Sequence, residues 1–161
     1  MEDLRTLYGS IGLAGTKTLL QSGNAVFISE ETDPAALEAR IATAIETEFG
    51  FHSDIFIRTL DEWREIITGH PFGVPEDVKK LLFIFLAAEP ADDAITAVQE
   101  AMKGPEQMTF SGRHIYIYYP EGMGRSKLDS AFLDRHLKIS GTGRNWNTAH
   151  KILILAERFE N

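Results

Sequence analysis

The sequence predicts an α+β chain built from two tandem copies of one unit. Three observations carry this. Apolar spacing switches repeatedly between helical and strand periods, so neither element type dominates any stretch. Two hairpin signals, Ser22-Gly23 and Ser111-Gly112, lie 89 residues apart; at that offset Val26, Phe27 and Ile28 fall on Ile115, Tyr116 and Ile117, and Trp63 and Ile66 on Ile152 and Leu155. Each half then reads β-α-β-β-α-β followed by a helix, the split βαβ or ferredoxin-like pattern. The offset carries the apolar run Leu81–Leu86 to positions before residue 1, so the first unit is expected to lack its first strand.

Leu4, Leu7, Tyr8 and Ile11 recur at helical spacing and predict an opening helix ended by Gly12 and Gly15. Thr16 to Leu20 and Asn24 to Ile28 read as the first hairpin. Asp33-Pro34 is an N-cap with proline at the first helical position, Leu37, Ile41, Ala44, Ile45 and Phe49 give a buried face, and Gly50 stops the helix. Asp54 to Arg58 alternates as a strand. Thr59 with Glu62 forms a capping box before a helix with Leu60, Trp63, Ile66 and Ile67 on one face.

The run Leu81–Ala87 is short enough for a buried central strand. A helix follows from about Asp92 with Ile95, Val98 and Met102 inward. Met108 to Phe110 and His114 to Tyr118 form the second hairpin. Ser126 and Asp129 predict a capping box, with Ser126 as N-cap of a helix lined by Leu128, Ala131, Phe132 and Leu137. Thr142 to Arg144 is expected as a short strand at best, and Ala149 to Phe159 as the closing helix. The expected organisation is a first unit over residues 1–70, a linker over 71–80 and a second unit with its C-terminal helix over 81–161.

Composition narrows the function classes. A chain of 161 residues with 43% hydrophobic and 25% charged residues buries a sizeable core and is ordinary for a globular protein. No apolar run reaches the roughly 18 residues of a membrane span, and the start Met-Glu-Asp-Leu-Arg lacks a signal peptide's apolar core. A cytoplasmic protein with no membrane partner is the expectation. Without cysteine there is no disulfide, thiolate zinc site or cysteine nucleophile. The five histidines are scattered, so no metal site and no cofactor are expected. A net charge of −8 argues against nucleic acid as a partner, and Tyr116, Tyr118 and Tyr119 read as strand core rather than a base-stacking platform.

Four segments together resemble the bacterial family of unknown function numbered 1697: Gln21-Ser-Gly-Asn-Ala-Val-Phe, His70-Pro-Phe, Tyr119-Pro-Glu-Gly-Met-Gly-Arg-Ser-Lys-Leu and Arg144-Asn-Trp-Asn-Thr. Members typically begin with an extra strand and a glycine-rich loop of Arg-Gly-Ile-Asn-Val-Gly-Gly type, and neither is present here. The resemblance implies a two-unit α+β fold and no established chemistry. With a central strand missing, either another segment or chain fills the first unit's gap, as in a homodimer through that unit, or the natural start lies upstream of Met1.

The candidate site lies between Tyr119 and Lys151. From Gly122 to Lys151 there are six basic and two acidic residues, a local charge of +4 against −12 for the remainder. Gly122, Gly124, Arg125, Ser126 and Lys127 precede one helix; Arg144, Asn145 and Asn147 precede another. Free N–H groups at helix starts attract anions, and glycines let backbone approach closely. In the expected topology the strand ends near Tyr118 and Arg144 share a pole with the start of the strand at Leu81, so Lys79 or Lys80 joins them. The outer strands are two spacings apart, about 10 Å, a gap basic side chains can bridge around a small anion. The leading expectation is a binding or interaction module with an anion-accepting pole. The alternatives are an enzyme acting on a phosphorylated or carboxylated metabolite, with Glu121 and His150 the candidate acid or base, and a purely structural or oligomerisation domain.

Overall fold

The computed structural model describes residues 2–19, 24–71, 78–123, 126 and 128–158. They divide into two compact units, residues 1–65 with 150–161, and residues 66–149. Of the expected linker over 71–80, residues 72–77 lie outside the described residues, and Val78–Lys80 form a short 3-10 turn.

In the first unit α1 (Glu2–Ser10) leads into β1 (Ala14–Leu19), which pairs antiparallel with β2 (Asn24–Ile28). The register shifts between Ala14 and Lys17, and Gly15 there has φ of +62°, the glycine-first bulge geometry. The Ser22-Gly23 turn lies outside the described residues, although Leu19 opposite Asn24 establishes the hairpin. Helix α2 (Pro34–Phe49) begins as the sequence requires: the Asp33 carboxylate accepts from the Ala35 N–H at 3.1 Å, and Gly50 closes the helix with φ of +77°. Its buried Leu37, Ile41 and Ile45 pack with Tyr8 and Leu13 into one core. The capping box of α3 (Leu60–Thr68) closes in both directions: the Thr59 N–H donates to Glu62 Oε1 at 2.9 Å, and the Glu62 N–H donates to Thr59 Oγ1 at 3.1 Å.

The expected strand Asp54–Arg58 is corrected. Ile55 and Ile57 pack on the first core, but the segment joins no ladder. The reason is visible in the second unit, where the corresponding strand is held by a central strand alone, and no such neighbour exists among the described residues of the first.

The second unit holds a four-stranded antiparallel sheet, with β3 (Leu81–Leu86), β4 (Gln107–Ser111), β5 (His114–Tyr118) and β6 (Gly141–Asn145) in spatial order β4-β5-β3-β6. With α4 (Asp92–Ala101) between β3 and β4, and α5 (Ser130–Leu137) between β5 and β6, this is the ferredoxin-like arrangement. The β4–β5 turn is Gly112-Arg113, Ser111 pairing with His114 and Gly112 at φ of +55°. Alternation sorts the side chains. Ile84, Leu86, Ile115 and Ile117 form a core with Val98 of α4 and Leu133 and Leu137 of α5, while Phe83 and Tyr116 meet edge to face on the other side at 5.7 Å.

Two further expectations change. β6 is a full five-residue strand, its glycines held by five pairings with β3 that outweigh poor strand propensity. The closing helix α6 spans Trp146–Glu157, starting three residues earlier than expected because Asn145 caps it, its side-chain oxygen accepting from the Thr148 N–H at 2.8 Å.

A cavity under β6 beside the expected pole

The ladders bring the expected ends together. Leu81 pairs with Tyr118 and Leu82 with Asn145, so β5 and β6 finish on either side of the start of β3. The Tyr119 N–H donates to the Lys80 carbonyl at 2.8 Å, which fixes the lysine turn beside the end of β5.

The side chains distribute differently. Gly124, Arg125 and Lys127 lie outside the described residues. Gly122 has φ of +91°, and its N–H is used in a turn, donating to the Tyr119 carbonyl at 3.0 Å. Ser126 is not the helix cap: Asp129 takes that role, accepting from the Phe132 N–H at 2.9 Å, because α5 begins only at Ser130. The Ser126 hydroxyl instead donates to Glu106 Oε1 at 2.6 Å and accepts from the Leu128 N–H. This late start also turns Ala131 outward and brings Leu133 into the core.

Arg144 and Asn145 occupy alternate faces of β6. The Arg144 Nη1 donates to Thr142 Oγ1 at 2.7 Å and to the Gly143 carbonyl at 2.8 Å, lying back along its own strand; burial lowers its pKa. Asn145 is spent on its cap, and Asn147 is an exposed first-turn residue of α6. Elsewhere in the basic segment, Arg135 lies 5.9 Å over the Phe132 ring, and Lys138 is exposed past the end of α5. Arg135 and Arg144 are thus each engaged on their own element. Of the candidate acid and base, Glu121 is exposed on the turn after β5 and His150 half-buried on α6.

On the face of β6 opposite Arg144 there is a cavity of about 230 Å3. Leu82, Ile84 and Leu86 of β3 form its floor, and Leu133 and Leu137 of α5 its roof. Gly141 and Gly143 form the wall contributed by β6; a Cβ at Gly141 would crowd the Leu86 side chain at 3.0 Å and the Phe85 carbonyl at 3.2 Å, whereas one at Gly143 would make ordinary contact with Leu82. Tyr119, Met123 and Leu128 close one end, and Asp129, Asp134, Ile139 and Thr142 also belong to the lining. Tyr119 is buried, its hydroxyl donating to the Leu128 carbonyl at 2.9 Å. Burial, then the charges of Glu106 and Asp129, push that hydroxyl up to about 12. Tyr116 is likewise buried, donating to the Ile66 carbonyl at 2.7 Å, so neither ring is available to stack on a base.

Sequence reasoning missed the cavity because Thr142 to Arg144 was expected as a short strand at best, which did not set Gly141 and Gly143 together on one face. The available signal was two glycines at alternate positions, i and i+2, which a strand places on one face.

Residues 1–116 match the model of a family described as "Protein of unknown function (DUF1697)". The chain belongs to that family. The conserved bacterial protein SP0830 from Streptococcus pneumoniae has a similar structure, with a TM-score of 0.73 and 22% identity over 97% of this chain and 88% of that one. At that identity the likeness establishes the fold. No curated protein matches the chain. Among the described residues no cluster of three or more His, Cys, Asp or Glu is placed to hold a metal, and no helix is long and apolar enough to cross a membrane.

Proposed function

We propose that this chain is a binding module for a small, largely apolar molecule, which occupies the cavity between β3, β6 and α5. The observation that carries this is the coincidence of a 230 Å3 apolar space with two glycines on the strand that walls it. An apolar cavity of about 150 Å3 accepts a benzene-sized molecule, so this one suits a ligand of roughly ten heavy atoms. A Cβ added at Gly143 would meet the Leu82 side chain at 3.4 Å, an ordinary contact, so a larger residue there fills space without displacing backbone. Calorimetric titration with 2-phenylethanol tests the reading. Saturable binding to the native chain, lost in a folded Gly143→Val variant, is expected; binding to neither, or equally to both, would remove it.

A second reading places a small anion at the sheet pole. What favours it is the register that sets the start of β3, after Lys79 and Lys80, between the ends of β5 and β6. An Arg144→Ala substitution is then expected to weaken phosphate binding by about 1.5–3 kcal/mol, the range for a charge-assisted contact; unchanged affinity would end it. The same account takes the halves as an internal repeat and the protein as cytoplasmic. It also assigns homodimerisation, where it occurs, to the unladdered 54–58 segment, which sedimentation of an Ile57→Pro variant would test. No observation favours the enzyme alternative.

A further inference from the structure

We infer that the cavity's ligand carries a cationic amine on its apolar body, and that the carboxylates of Asp134 and Asp129 receive it. The inference rests on the cavity reading above and adds the ligand's charge. Among the described residues the lining is otherwise almost wholly aliphatic, and these two supply its only charged groups. Both are exposed, both lie along α5, and among the described residues neither forms an ion pair. Asp129 spends one carboxylate oxygen on the Phe132 N–H and keeps the other; for Asp134 no hydrogen bond to its carboxylate is recorded among the described residues.

Among the described residues the remaining polar groups do not offset this negative charge. The Tyr119 hydroxyl is committed to the Leu128 carbonyl, and Glu106, bound to Ser126, adds a third carboxylate whose charge acts on Tyr119. Arg144 is on the face of β6 opposite Gly141 and Gly143, donating to Thr142, which is itself a lining residue. A carboxylate ligand would therefore enter against like charge, while an ammonium group meets an acceptor without desolvating a committed pair.

Three probes of one size separate the ideas: phenethylamine, 2-phenylethanol and phenylacetate, titrated calorimetrically at neutral pH. Phenethylamine is expected to bind about tenfold more tightly than the alcohol, and phenylacetate more weakly than either. In Asp134→Asn the preference for the amine shrinks while affinity for the alcohol stays. Asp129→Asn, which retains a competent helix cap, shows the same direction. If the alcohol fails to bind, the cavity reading itself falls. If alcohol and amine bind equally to the native chain, or the preference survives in the Asp129→Asn/Asp134→Asn double variant, the cavity stands and the inferred charge is overturned.

Discussion

Arg144 and Asn145 are neighbours in sequence and do unrelated work on opposite faces of β6. Arg144 donates to Thr142 at 2.7 Å, whereas Asn145 accepts the Thr148 N–H at 2.8 Å and starts α6. Strand alternation alone separates them. An Asn145→Ala substitution is expected to cost about 1 kcal/mol, the usual loss of a helix cap, measured by urea unfolding. Asn145→Asp should retain most of the stability; equal losses in both variants would mean that capping is not the cause.

The buried tyrosines make alkaline stability a test of the core. In the folded chain burial makes Tyr116 and Tyr119 hold their protons up to about 12, against the ordinary tyrosine value of 10.0. Between those values the unfolded chain has lost protons that the folded chain keeps, so the contribution present below pH 10 is lost as pH rises through 12. Tyr119→Phe should flatten the fall in stability over that window relative to the native chain. An unchanged slope would place the Tyr119 hydroxyl in contact with solvent.

Residues 54–58 offer a third test. Their unladdered backbone sits against the first core through Ile55 and Ile57. Fusing a strand with the sequence of Leu81–Leu86 ahead of α1 is expected to raise the melting temperature and slow amide exchange at 55 and 57. Identical melting and exchange would show that this segment is not waiting for a strand.

Filling the cavity should stabilise the chain even without ligand. Gly143→Val exchanges a poor strand residue for a good one and occupies void volume, with a gain of about 0.5–2 kcal/mol expected. A loss of stability would show the space to be smaller than the structure depicts.

Much of the fold was legible because several local rules agreed. Asp33-Pro34, Thr59 with Glu62, and Gly50 each act as their chemistry requires. The candidate site was far less legible. A capping pattern at Ser126 could not be distinguished from one at Asp129, because each position offers an oxygen to a helix start and only packing decides which is used. Clustered charge in sequence likewise gave no knowledge of faces: Arg135 and Arg144 each settle on their own element. The cavity depends on side chains that glycine does not have, which hydrophobic patterning does not register.

The cavity claim is tested most directly by methyl NMR during titration with 2-phenylethanol. The account predicts saturable shifts concentrated at Leu82, Ile84, Leu128 and Leu133, with the exposed Ile28 and Ile154 unmoved. Shifts confined to such exposed methyls, or no shifts at all, would contradict it.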